Sequence, residues 1–147
     1  RPPKAKPTTS FNLKTLNTRP NYEEEITTFI KSYFNVISNL IERSSQQVTK
    51  YYFNGSRLQA ISEKGEVVKM EGEEPIYQFF TKRCHMRKYN MDPNFIIFPS
   101  LGQGAFVMVY GTMGTLYNPT LYKISMGFDI VRLQKDYYIL NQGFKIF

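Results

Sequence analysis

The chain has 147 residues, enough for one core and too few for two, and it is 41% apolar and 16% aromatic, with 11 Tyr and 12 Phe but no Trp. Composition of this kind lies far from that of disordered chains, so most of the sequence is expected to fold as a single domain. One cysteine, Cys84, and one histidine, His85, exclude an internal disulfide framework, a multi-cysteine zinc site and a His-rich metal cluster; no cofactor is expected, and a reducing compartment is the default.

The net charge of +7 is unevenly placed. Arg1, Lys4, Lys6, Lys14 and Arg19 lie in residues 1–21 with no acid among them, so the rest of the chain is nearly neutral. That distribution argues against a nucleic-acid interface built on the folded part, because phosphate binding needs cations clustered on one face. No run approaches a membrane-spanning apolar length, and the N-terminus lacks the apolar core of a secretory signal.

Residues 1–21 read as a basic tail or linker, since Pro2, Pro3, Pro7 and Pro20 deny regular structure and Phe11, Leu13 and Leu16 are isolated apolar residues that could dock on the domain. The chain begins at Arg1 without an initiator Met, as a processed or excised chain would, and the acid-free tail also suits the remains of a mitochondrial targeting segment. The domain is expected over residues 22–147. Ile26, Phe29, Ile30, Tyr33, Phe34, Ile37, Leu40 and Ile41 recur at spacings of three and four and predict an amphipathic helix. Asn21 with Glu24 stands in capping-box register, and Glu23 to Glu25 suit the positive end of the helix dipole. A second, short helix is expected over Gln46 to Tyr52. Arg57 to Met70 reads as a hairpin turning at Lys64–Gly65. A third helix starts at Glu74–Pro75, carries Ile76, Phe79 and Phe80 inward, and ends near Arg83.

After about residue 94 the period changes to two. Tyr122, Ile124, Met126, Phe128 and Ile130 alternate with Lys123, Ser125, Gly127 and Asp129, the pattern of a strand with one buried face. Phe95 to Pro99, Phe106 to Leu116 and Tyr137 to Phe147 are the other long strands. Gly102-Gln103-Gly104, Asn118–Pro119 and Gln134-Lys135-Asp136 supply the turns. Helices followed by a meander predict an α+β fold: three N-terminal helices on an antiparallel sheet.

This order of elements resembles the nuclear transport factor 2-like family over residues 22–147. The resemblance rests on Phe29-x-x-x-Tyr33-Phe34, Tyr51-Tyr52-Phe53 with Ser56-x-Leu58, Gly72-x-x-x-Ile76-x-x-Phe79-Phe80, Val107-x-Val109-x-Gly111 and the closing Tyr137-Tyr138-Ile139-Leu140-Asn141-Gln142-Gly143-Phe144-Lys145. It implies a cone-shaped domain of helices against a strongly curved sheet, pairing through the open sheet face with a second copy or a related domain. It further implies Phe-containing peptides as ligands, work as an adaptor in nucleocytoplasmic transport or messenger-RNA export, and residence in nucleus and cytoplasm. It does not extend to the contacts that the transport factor makes with Ran, because Trp is absent and the positions after Ser56 fall on Ala60 and Ile61. Asn141 is followed by Gln142 where the family commonly has an acid. The fold also hosts isomerases and dehydratases, so a small-molecule isomerase or lyase is the alternative from another class, and a ribonucleoprotein-granule scaffold module is a third reading.

Enzyme chemistry in such a cavity needs an acid or base on the inner sheet face. Asp129 falls on the polar phase of its strand, Asp136 in a turn and Asp92 before a proline, so no catalytic residue is expected. Cys84 and His85 are adjacent and lack a third orienting group, which argues against a nucleophilic pair. Lys82, Arg83, Arg87 and Lys88 with Tyr89 form a basic cluster that is a candidate anion or RNA contact, against the plainer reading of a solvated helix end and loop. Glu63, Glu66, Glu71, Glu73 and Glu74 read as a wet hairpin and a dipole-favoured helix start rather than a docking site for a basic partner. Asn54-Gly55-Ser56 satisfies a glycosylation sequon but reads better as a turn. Gly102-x-Gly104 has no following helix and is no phosphate loop. Dimerisation is expected through outward strand residues, with Val107, Val109, Tyr137, Ile139 and Asn141 as the interface.

Overall fold

The structure is a computed structural model. It describes residues 20–38, 45–83, 86–91, 95–100, 103–115 and 120–147, with side chains described for 20–38, 47–82, 90, 95–100, 103–114 and 120–147.

The first helix, α1, runs Tyr22–Ser38. Its start is fixed by the Glu25 N–H, which donates to the Asn21 carbonyl at 3.0 Å, and by three carboxylates in the first turn, Glu23, Glu24 and Glu25. The apolar stripe does what its spacing predicts: Ile26, Ile30, Tyr33, Phe34 and Ile37 are buried. Leu40 and Ile41, the end of the predicted stripe, lie outside the described residues. The expected second helix is a 3₁₀ segment, Ser45–Tyr51, whose Val48 and Tyr51 are buried. The third is a short α2, Glu73–Gln78, opening at Gly72 (φ 93°), which runs into a π turn, Phe79–Arg83. Two α-helices, not three, therefore lie in the described residues.

Seven strands form one sheet: β1 Arg57–Ile61, β2 Val67–Glu71, β3 Met86–Met91, β4 Ile96–Pro99, β5 Ala105–Thr115, β6 Leu121–Leu133 and β7 Asp136–Ile146. The order is β2-β1-β7-β6-β5-β3, with β4 also on β5. β1 and β7 are parallel, so the sheet is mixed and the antiparallel expectation is corrected. This pairing brings together segments about eighty residues apart, which no local hairpin signal announces. The β1–β2 hairpin turns at Gly65 (φ 83°), and the β6–β7 turn uses Gln134 (φ 51°) and Lys135 (φ 79°) between the paired Leu133 and Asp136.

The helices cover one sheet face. Ile124, Met126, Phe128 and Ile130 of β6 point into the core, where the Tyr33 and Phe34 rings meet Phe128 edge to face at centroid distances of 5.5 and 6.0 Å. Phe79 and Phe80 both reach Phe144 of β7 at 6.5 Å. The buried polar side chains among the described residues are Ser56 and Gln142. Ser56 Oγ accepts from the Phe53 N–H (2.9 Å) and donates to the Ile139 carbonyl (2.6 Å), so the Asn54–Gly55 segment is the turn expected of it and is tied to β7.

Candidate functional site

The sheet face turned away from the helices is the first candidate surface, and cross-strand register maps it. One row runs Glu71–Arg57–Asn141–Asp129–Phe106–Phe98. The next runs Lys69–Gln59–Gly143–Gly127–Met108–Ile96, and a third Val67–Ile61–Lys145–Ser125–Tyr110. The face is thus mostly polar across β1, β2 and β7, with Val67 and Ile61 apolar at one end, and apolar across β4 and β5. Ile96, Phe98, Phe106 and Tyr110 are 45%, 52%, 41% and 46% exposed, and together they make a contiguous apolar patch of the kind that marks an interaction surface. Between the two halves Gly127 and Gly143 lie opposite each other as bare backbone. A Cβ on Gly127 would touch the Phe106 ring at 3.7 Å, whereas one on Gly143 would meet nothing within 4 Å. Beside them Asn141 Nδ2 donates to Asp129 Oδ2 at 3.0 Å, which places Asp129 on the outer face as expected.

This map corrects most of the interface drawn from sequence. Val107 and Val109 are buried under the helices, because the odd-numbered residues of the first half of β5 point inward and Phe106, Met108 and Tyr110 point out. Ile139 is also fully buried. The reason is a bulge in β7: Ile139 pairs with Ile130 but Asn141 pairs with Asp129, leaving Leu140 extra and reversing the phase. Ile139 therefore shares its side with Gln142 and Phe144. Tyr137 is half-buried and lines a groove, and Asn141 alone of the five belongs to the outer face.

That groove is the second candidate surface. It is an open trough of about 1260 Å³ between the first turns of α1, the end of the 3₁₀ segment and the β6–β7 turn. Its floor is aromatic: the Phe29 ring meets Tyr51 at 5.3 Å and Tyr137 at 6.2 Å, both edge to face. Polar contacts fix the walls. The Tyr137 hydroxyl donates to Glu25 Oε2 at 2.6 Å, Tyr51 and Ser32 share a hydroxyl–hydroxyl bond, and Lys50 Nζ stands 5.3 Å over the Tyr51 ring. Glu23, Glu24, Glu25 and Asp136 line it against Lys50 and Lys135, so the lining is acidic by two charges on a chain that is basic overall. Sequence reading did not bring Phe29, Tyr51 and Tyr137 together. The available signal was the position of Phe29 at the edge of the α1 stripe, where a large ring is half-covered.

The interior of the fold holds a third polar group. Tyr52 Oη donates to Gln142 Oε1 (2.5 Å), Gln142 Nε2 donates to Tyr33 Oη (3.0 Å), and the two hydroxyls are 2.7 Å apart, closing a ring under the sheet. Of the basic cluster, Lys82 is exposed at the π turn; Arg83 ends that turn, and Arg87, Lys88 and Tyr89 sit on β3, with side chains outside the described residues. A strand therefore stands where a loop was expected. Cys84, His85 and Asp92 lie outside the described residues. Among the described residues no group of His, Cys, Asp and Glu is placed to hold a metal.

No family model matches the sequence, and no curated protein matches it. Solved structures do match. Nuclear transport factor 2 (Ntf2) from Cryptosporidium parvum is 17% identical, with a TM-score of 0.69 over 88% of this chain and 97% of that one. The yeast UBP3-associated protein BRE5 is 16% identical, with a TM-score of 0.66 over 85% and 95% of the two chains. A chain in the Candida albicans complex of Mtr2 with the Mex67 M domain is 12% identical, with a TM-score of 0.61 over 84% and 94%. Likeness at such low identity speaks to the backbone, and the backbone answers the family resemblance in the sequence: the chain has the nuclear transport factor 2-like fold.

Proposed function

We propose that this chain is a non-enzymatic protein-binding module that pairs through the outer face of its sheet and takes Phe-containing peptides in the groove floored by Phe29, Tyr51 and Tyr137. Its role is that of an adaptor in nucleocytoplasmic transport or messenger-RNA export, shared between nucleus and cytoplasm. The observation that carries the reading is the exposed patch of Ile96, Phe98, Phe106 and Tyr110 on the adjacent strands β4 and β5, with Phe98 and Phe106 directly paired. Contiguous exposed apolar residues of this kind mark interaction sites, and a standard interface removes roughly 800 Å² from each partner. Fold neighbours solved as complexes, Mtr2 with the Mex67 M domain and Bre5 with the deubiquitinase Ubp3, support partnering between proteins. What supports the non-enzymatic reading is that the buried polar groups among the described residues, Ser56, Gln142 and the Tyr33 and Tyr52 hydroxyls, are already hydrogen-bonded within the core.

The partner to test first is a second copy. Light scattering on the column eluate is expected to give twice the single-chain mass for the wild type and the single-chain mass for Phe98→Lys/Phe106→Lys, whose side chains are exposed and not needed by the core. A double variant that pairs as well as the wild type would refute the assignment of the face.

A further inference from the structure

We propose that the groove at the start of α1 is occupied in cis by residues 10–19 of this chain, which compete there with peptide ligands. The groove has both halves of a site for a cationic, partly apolar segment. Its floor is the Phe29, Tyr51 and Tyr137 rings. Its rim is acidic: Glu25 is held in place by the Tyr137 hydroxyl, Glu24 and Asp136 are exposed, and Lys50 is engaged with the Tyr51 ring.

Residues 10–19, Ser-Phe-Asn-Leu-Lys-Thr-Leu-Asn-Thr-Arg, have the complementary chemistry. Phe11 and Leu13 are two apart, so an extended segment sets both on one side, toward a floor, and Lys14 on the other, toward a rim. Arg19 precedes Pro20, which favours an extended backbone at that step. No acid occurs before Glu23.

The tether makes the match effective. Asn21 itself lines the groove, so the segment enters the domain at the site. Ten extended residues reach about 33 Å, enough to fold back across the first turns of α1. A segment with only ~0.2 mM intrinsic affinity, held at an effective concentration of ~1 mM, is docked about five-sixths of the time. A peptide ligand then binds about sixfold more weakly than to the open groove. That consequence rests on the reading of the groove as a peptide site, whereas the docking does not.

Limited trypsin digestion of the full chain, followed by mass spectrometry, tests the docking at the Lys14–Thr15 bond. Lys4–Ala5, outside the segment, is the internal reference. A synthetic peptide of residues 1–20 gives the unprotected rate. Lys14–Thr15 is expected to be cut about sixfold more slowly in the intact chain than in the peptide, relative to Lys4–Ala5. Glu24→Lys/Asp136→Lys should restore the peptide rate, as should high salt. Equal rates in chain and peptide, or protection indifferent to the charge reversal, would overturn the proposal. So would protection that grows with protein concentration, which would put the segment in the groove of a second copy. A Phe-containing peptide added to a Phe11→Ser/Leu13→Ser/Lys14→Glu chain, which alters the tail and leaves every groove-lining residue in place, separates the two readings. If it fails to bind while wild-type protection stands, the peptide-site reading falls and the docking survives.

Discussion

Removing one member of the Tyr33–Tyr52–Gln142 ring should cost more than removing all three. Gln142 is 3% exposed, and each of its amide atoms serves one hydroxyl: Oε1 accepts from Tyr52 at 2.5 Å and Nε2 donates to Tyr33 at 3.0 Å. Gln142→Leu keeps the volume and opens no cavity, but it takes one hydrogen bond from each of two hydroxyls inside the core, at about 1–3 kcal/mol per group, or about 2–6 kcal/mol in all. Tyr52→Phe leaves Gln142 Oε1 without its donor and should cost about 1–3 kcal/mol by the same reasoning. Tyr33→Phe/Tyr52→Phe/Gln142→Leu replaces every member by an apolar group of similar shape and should lie within about 1 kcal/mol of the wild type. Urea unfolding followed by far-ultraviolet circular dichroism gives each value, since the chain has no Trp to report. A triple variant as unstable as the sum of the three single ones would show that the hydroxyls act independently and that the ring is no unit.

Three further outcomes follow from local geometry. Gly104→Ala should destabilise by roughly 2–4 kcal/mol in the same assay, because its Cβ would stand 2.3 Å from the Ile130 carbonyl oxygen, a backbone atom that cannot swing aside. Gln134→Asn/Lys135→Gly should stabilise by about 0.5–1 kcal/mol, since both positions have positive φ and the new residues suit a two-residue hairpin turn; a loss of stability would mean that the turn changes type. Ser56→Ala should cost about 1–2 kcal/mol, as the Phe53 N–H and the Ile139 carbonyl both lose their hydroxyl partner.

Where one period dominates, the elements were legible. The stripe from Ile26 to Ile37 has spacings only a helix explains, and the alternation from Ile124 to Ile130 only a strand with one buried face. Turn chemistry found Gly65 and Gln134–Lys135 for the same reason, that it is local. β3 was hidden because Met86–Met91 carries charged residues and gains its order from pairing with β5, more than twenty residues on. The parallel β1–β7 pair is long-range as well. Strand phase failed where both phases are apolar: Phe106 and Val107 are both large hydrophobes, and only the side on which the core packs decides that Val107 is buried and Phe106 exposed. In β7 the extra residue at Leu140 reverses the phase partway, so counting by twos from Tyr137 goes astray after Ile139. The groove was illegible for another reason. Its three rings come from α1, the 3₁₀ segment and β7, and only the fold makes them neighbours.

The claim that the outer sheet face is a pairing surface meets its most direct test at Gly143. Its backbone faces open space: an added Cβ meets nothing within 4 Å, so a longer side chain can leave the sheet there without displacing the core. A partner seated across Gly127 and Gly143 would collide with it. Sedimentation equilibrium of the wild type and Gly143→Arg, with circular dichroism to verify the fold, is expected to show a wild-type dimer and a folded variant whose self-affinity is at least about 100-fold weaker. A wild type of single-chain mass at every concentration, or a Gly143→Arg chain that pairs unchanged, would contradict the account.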